Sequence, residues 1–234
     1  MSERKDLKIL LLQIRDNQNV RVEEHLSFAN FSKLELHQIE VLNVFDTPSF
    51  KPNQDFNLMQ FKLTEIEVLN VFDTPSFKPN QIDNYDALYV GGASEANVLE
   101  PDKYPFVKNC IELLRYAAEI SKPTFASCFG FQLAVLAFGG IILNKDKDYE
   151  MGTVKISLTD KAKSDLIYQG IQDRFPAVSV HRQYASTIPE PLETLAYTGQ
   201  CVHSFKYKNK PLWAFQFHPE VDRETLVKRL TIFS

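Results

Sequence analysis

The sequence carries no excess of positive charge. Its 26 Lys and Arg against 30 Asp and Glu leave a formal net charge of -4, which excludes the basic footprint that nucleic acid or an anionic membrane surface requires. No apolar run is long enough to cross a bilayer. The opening "MSERKDLKILLLQIRD" holds only a strand-length apolar run that carries Gln13 and Arg15 and has no small-residue cleavage site, so no signal peptide is expected. Cysteines are few. Cys110, Cys128 and Cys201 are odd in number and widely spaced, which argues against a disulfide framework and for a reducing compartment, the cytoplasm. No GxxxxGK(S/T) phosphate loop occurs. A chain of 234 residues can bury a substantial core, and with no linker in evidence it reads as one domain over 1–234.

What is present alternates. Leu7 to Gln13 reads as a strand, Val22 to Phe31 as an amphipathic helix and Ile39 to Phe45 as a strand. Ala87 to Gly92 is a buried strand ending in two glycines. Phe106 to Ile120 has apolar residues at helical spacing, with Pro105 at its start, where proline is tolerated. Pro123 opens another strand. This order predicts an α/β fold: a doubly wound, mainly parallel sheet with helices on both faces. The second half is strand-rich with polar turns ("TVKISLTD", "AVSVHRQYAST", "CVHSFKYKNK", "PLWAFQFHPE"), which predicts antiparallel additions. Arg223 to Phe233 reads as a closing helix.

One repetition stands out. "IEVLNVFDTPSFKPNQ" occupies residues 39–54 and recurs letter for letter at 66–81. Two copies do not make a solenoid. Removing 55–81 leaves an uninterrupted strand–loop–strand connection, so that stretch reads as a duplicated insert. Which copy enters the sheet is open, and a spare strand could instead pair with a sheet edge or a second subunit.

In "PTFASCFGFQLAVLAFGG", Cys128 lies where a strand meets a helix. A nucleophile on such a turn needs small residues two before and two after it, here Ala126 and Gly130. A helix starting at Phe129 would favour a thiolate through its dipole, and the Phe129 N–H would face a developing oxyanion. The local pattern alone leaves open whether Cys128 packs or reacts. "FQFHPE" adds a base and its orienter: residues two apart on a strand share a face, so Glu220 can hold one nitrogen of His218 while the other faces the thiol.

"ASCFGFQ", "FHPE" and the upstream "VGGASE", in that family's order and spacing, resemble the class I (triad) glutamine amidotransferases, in particular stand-alone members similar to the amidotransferase domain of GMP synthase. The resemblance implies a Cys128–His218–Glu220 triad, an oxyanion hole from the Gly92 and Phe129 N–H groups, glutamine contacts from Gln132, and close substrate approach at Gly91. "SVHRQY" resembles the substrate-contacting strand, with His181 and Gln183 as candidates, and "YEMG" adds Glu150 and Gly152. The implied reaction is hydrolysis of the glutamine side-chain amide through a cysteine thioester, with ammonia passed to a synthase not on this chain and no cofactor. Two other readings use the same fold: a γ-glutamyl hydrolase or peptidase, and a weakly active regulatory subunit.

Several positions depart from the family pattern. Ala126 stands where glycine is usual. Phe131 replaces a common histidine or methionine and is expected to pack or to line the pocket. Gln183 stands where relatives often have aspartate, which bears on recognition of the substrate α-ammonium. Cys110 and Trp213 are expected in the core, and His25 and His37 at the surface or its boundary. "NKDKDYE" reads as a solvated turn. Cys201 and His203 alternate on a strand without another ligand pair at metal-site spacing, so no metal is expected.

Overall fold

The computed structural model describes residues 8–15, 17–33, 39–43, 77–147, 149–222 and 225–227. Its centre is built from short apolar runs that read as strands. β1 (Ile9–Gln13), β2 (Ile39–Asn43), β3 (Ala87–Val90), β4 (Thr124–Ser127) and β11 (Leu212–Phe215) lie in the order β2-β1-β3-β4-β11, every neighbouring pair parallel. The sheet continues through β10 (Val202–Tyr207), β9 (Leu192–Tyr197), β6 (Met151–Leu158) and β7 (Phe175–Val180), all antiparallel. β5 (Ile141–Asn144) and β8 (Gln183–Thr187) pair separately. The mixed α/β architecture is the expected one.

Strand alternation sorts side chains into cores on either side of the sheet. Leu10, Leu12, Leu88, Val90, Ala126, Leu212 and Ala214 enter one core. There they meet α2 (Phe106–Glu119) and α3 (Phe129–Ala137), with Cys110 and Phe131 buried as packing residues. The intervening positions face the other way. Leu11 packs with Phe28, Ala29 and Tyr89 under α1 (Gln18–Ser32), while Trp213 and Phe215 join Ile156, Tyr168 and Leu195. Trp213 stacks on Phe125 at 5.5 Å and donates to Asp165 Oδ1 at 3.0 Å, a core role. Apolar burial of this kind stabilises by about 1.5–3 kcal/mol per large side chain.

α1 begins earlier than periodicity suggests because Asn17 caps it, its Oδ1 accepting from the N–H groups of Asn19 and Val20. Its inward face is not purely apolar. Val20, Glu24, Ser27 and Phe28 are buried, while Val22 and Leu26 are exposed; His25 is half-buried. Of the expected closing helix, Thr225–Val227 is helical and the remainder lies outside the described residues, as does His37. Among the described residues no helix is long and apolar enough to cross a membrane.

The repeated segment is used in two places. β2 comes from the first copy and pairs in register with β1, Leu11 opposite Val41. The end of the second copy leads into β3: Phe77 is buried in the core, and Pro79 starts the 3-10 turn Pro79–Asn84. Residues 44–76, which hold the remaining parts of both copies, lie outside the described residues.

Candidate active site

β3, β4 and β11 are adjacent and parallel, so their carboxyl ends open at one place. In open α/β sheets this is where ligands bind. Gly91 and Gly92 follow β3, Cys128 follows β4, and His218 lies just beyond β11.

Cys128 sits between β4 and α3 with φ 53° and ψ -103°, a left-handed conformation that costs a non-glycine residue backbone strain. The turn is fastened on both sides: the Cys128 N–H donates to the Phe215 carbonyl at 2.8 Å, and its own carbonyl accepts from the Gln132 N–H at 3.2 Å. Gly130 cannot be larger, because a Cβ there would lie 2.5 Å from the Val90 carbonyl oxygen. Ala126 is fully buried in the core, so its extra methyl is accommodated there. No described residue accepts from the Phe129 N–H or from the Gly92 N–H. The thiol itself lies 3.8 Å from the Val180 carbonyl oxygen.

His218 and Glu220 meet, Nδ1 to Oε1 at 2.7 Å, both buried. They do so differently from the strand-face expectation. β11 stops at Phe215, and His218 makes only an isolated bridge, its N–H donating to the Val178 carbonyl at 2.8 Å. Pro219 has no N–H with which to prolong a ladder, so the chain turns and Glu220 folds back onto the ring. Burial opposes a charge on His218, but the Glu220 carboxylate and the Cys128 sulfur outweigh it and push its pKa up to about 10.

Two residues at this site were not among the sequence candidates. Arg15, just past β1, bonds through Nε to Glu24 Oε1 at 3.0 Å and through Nη1 to Ser94 Oγ at 3.0 Å. Burial works against its charge, yet Glu24 outweighs burial and raises the pKa, with a smaller contribution from Cys128. A Cβ on Gly92 would lie 2.8 Å from Arg15 Nη2, 3.2 Å from His218 Cε1 and 3.5 Å from Cys128 Cβ, so Gly92 marks the point where these groups converge. Gly91 instead faces Glu24, whose Oε1 would lie 3.0 Å from a Cβ there. The available signal was a charge at the end of an apolar strand and another on the apolar stripe of α1.

These groups open into a cleft of about 550 Å³ whose lining includes Arg15, Cys128, Gln132, His181, Arg182 and Gln183. Gln132 Nε2 donates to the Gln183 carbonyl at 3.4 Å, while the Gln183 side chain turns to Asn144 Oδ1 at 2.9 Å. Among the described residues lining the cleft there is no Asp or Glu. Phe131 is not part of the lining; it packs on Phe205 with ring centres 5.2 Å apart.

Glu150 lies behind this wall rather than in it, buried at the end of the expected solvated turn. Its Oε2 is 3.0 Å from His181 Nε2 and 2.6 Å from His203 Nε2, and its Oε1 accepts from Thr198 Oγ1 at 2.8 Å. Burial would raise its pKa, but these contacts hold it well below the usual carboxylate range. Cys201 Sγ also approaches Oε2, at 3.8 Å, and burial, with the Glu150 charge adding to it, pushes that thiol up to about 12. Gly152 adopts φ 117°, a conformation open to glycine.

The fold and this site define an α/β protein with a cysteine on a strained strand-to-helix elbow beside a buried histidine–carboxylate pair. The family model for glutamine amidotransferase class-I matches residues 44–231, and the chain belongs to that family. Similar proteins include a glutamine-hydrolyzing GMP synthase subunit of Methanocaldococcus jannaschii, 32% identical over 116 residues, which are 49% of this chain and 57% of the relative. Its counterpart in Methanococcus maripaludis is 38% identical over 100 residues, 42% of this chain and 51% of the relative. The chain thus spans little more than half the length of these relatives. Among solved structures, a glutamine amidotransferase from Thermotoga maritima superposes with a TM-score of 0.69 at 14% identity, covering 96% of this chain and 82% of the other. One from Methylobacillus flagellatus superposes at 0.66 and 17%, covering 97% and 76%. At those identities the likeness is one of fold.

Proposed function

We propose that the chain hydrolyses the side-chain amide of glutamine, Cys128 acting as nucleophile, His218 as acid and base, and Glu220 as the group that orients and charges the ring. The observation that carries this reading is the Cys128 elbow facing the His218–Glu220 pair, 2.7 Å apart, at the mouth of a cleft. His218 takes the proton of the Cys128 thiol as the sulfur attacks the amide carbon and a C–S bond forms. Negative charge develops on the amide oxygen, where the N–H groups of Phe129 and Gly92 serve as donors. His218 gives its proton to the departing nitrogen, and the C–N bond breaks to release ammonia. Water then gives a proton to His218 and adds to the thioester carbon; the C–S bond breaks, glutamate leaves and the thiol is restored. Gln132, Gln183 and the backbone around His181 hold the amino-acid end of the substrate. Glu150 supports His181 from behind, and Gly91 leaves room for Glu24.

By likeness to the archaeal GMP synthase subunits, the ammonia passes to a separate synthase partner in the cytoplasm. Residues 1–234 form one amidotransferase domain, with 55–81 as an insert. Ammonia release from glutamine, measured with and without a candidate synthase, tests the reading. Cys128→Ala should abolish turnover while leaving the circular dichroism spectrum unchanged, and retained turnover would exclude Cys128 as the nucleophile.

A second reading is cleavage of γ-glutamyl peptides or conjugates by the same three residues: their γ-glutamyl group carries the same α-ammonium as glutamine, and the cleft of about 550 Å³ leaves room for a larger leaving group. Side-by-side assays on glutamine and γ-glutamyl peptides separate the two. Failure of Cys128 to react with a glutamine-mimicking electrophile in the presence of a proven synthase would favour the regulatory-subunit reading.

A further inference from the structure

We propose that Glu150, His181, Cys201 and His203 form a binding site for one zinc-class divalent ion, set behind the wall of the cleft. Their sequence spacing hides this, because the four residues come together only through the antiparallel half of the sheet. Glu150 precedes β6, His181 follows β7, and Cys201 and His203 enter β10.

The geometry is that of a convergent ligand set. One donor atom from each residue lies within 4.8 Å of all the others. Around Glu150 Oε2, the His203 Nε2, His181 Nε2 and Cys201 Sγ atoms stand at 2.6, 3.0 and 3.8 Å. In a tetrahedral site with metal–ligand bonds of ~2.0–2.3 Å, ligand atoms are roughly 3.3–3.7 Å apart, so an ion requires the two imidazole nitrogens to move outward from Oε2 and the more distant donors, within 4.8 Å of one another, to draw in. Two imidazoles, a thiolate and a carboxylate are zinc ligands. The thiolate and carboxylate also balance the two charges of the ion, which keeps a buried site neutral.

Proton placement points the same way. His181 Nδ1 faces the Gln183 carbonyl at 2.8 Å, an oxygen that can only accept, so Nδ1 carries a hydrogen. That contact orients the ring so that Nε2 points at Glu150 Oε2, the atom at which His203 Nε2 and the Cys201 thiol also arrive, as a shared ion requires. Groups of the kind that orient metal ligands support His181 and Glu150, while His203 Nδ1 is buried with no hydrogen-bond partner among the described residues. His181 donates to a backbone carbonyl, and Thr198 holds Glu150 Oε1 at 2.8 Å while accepting from the Gln200 N–H at 3.2 Å. A small recess touching Glu150, His181 and Cys201 supplies the approach. Binding releases the Cys201 thiol proton, and any extra ring proton, to solvent.

The ion would be structural. His181 also lines the cleft, and its neighbour Val180 turns a carbonyl oxygen to the Cys128 sulfur at 3.8 Å, so the ion would pin the strand end that forms the cleft wall. The proposal does not depend on the glutamine reading. Its test is titration of the chelator-treated full chain with Co²⁺, followed by absorption and by metal analysis after gel filtration. The expected result is one Co²⁺ per chain, with the visible bands of a four-coordinate ion and a near-ultraviolet thiolate-to-cobalt band. That band should vanish in Cys201→Ser and persist in Cys128→Ala. His203→Gln should weaken binding by more than about 100-fold, beyond what loss of a group that only hydrogen-bonds a ligand costs. A wild-type chain that retains no Co²⁺, or a band that survives Cys201→Ser and disappears with Cys128→Ala, overturns the proposal. The first of these requires no variant to fold.

Discussion

Glu220→Gln removes the charge that outweighs burial at His218, so it should bring the ring's pKa down from about 10, as read from histidine nitrogen shifts by NMR. A ring whose folded pKa lies above its ordinary 6.5 contributes stability in full below that value and loses it as pH rises toward about 10. Thermal melts over that window should show the wild-type chain losing its advantage over Glu220→Gln; a constant difference would remove Glu220 as the cause. Arg15 and Glu24 raise a different issue. Arg15→Met leaves a carboxylate buried without its cation and should cost about 3–5 kcal/mol in urea unfolding, whereas Arg15→Met with Glu24→Leu should recover most of that loss. The proposed nucleophile and its proposed base were legible because each sits in a short run of local chemistry: small residues around Cys128, and a histidine two before a glutamate. Arg15, Glu24 and the second environment of Glu150 were not, because each takes its meaning from partners on other elements. Nothing within five residues of Glu150 announces His203.

At the scale of elements, the elbow depends on how closely α3 approaches β3. Gly130→Ala places a carbon 2.5 Å from a backbone oxygen, so one of the two must move. We expect a loss of about 1–3 kcal/mol, together with a fall in Cys128 alkylation rate, because the thiol is carried on the displaced turn. An unchanged rate would show that the turn absorbs the methyl. β1 and β11 were readable because every residue of each is buried and their sequences are correspondingly apolar. β5 was harder to see: Ile142 is its one buried residue, with Ile141 and Leu143 exposed, so its pattern gives little contrast. The end of β11 was misplaced for a related reason. "FQFHPE" alternates like a strand, and only the missing N–H of Pro219 marks where the ladder cannot continue.

For the whole molecule, the repeated segment offers an unusual experiment. Excising 39–65 or 55–81 yields the same polypeptide, because the two copies are identical. That shorter chain supplies β2 and the Phe77–Gln81 sequence from one copy. It should fold with the same circular dichroism spectrum and keep wild-type turnover; loss of either would show that the insert is integral to the domain. Among the described residues β2 lies at the sheet edge and pairs with β1 alone. An edge position can be entered without dismantling any interior pairing. Closing a loop costs free energy only as the logarithm of its length, so threading the second copy into the slot merely exchanges a long connection after the strand for one before it. Substitutions confined to residues 39–43 are therefore expected to leave the circular dichroism spectrum unchanged, because the identical residues 66–70 can take the same edge position; a lost spectrum would show that only the first copy can fill it.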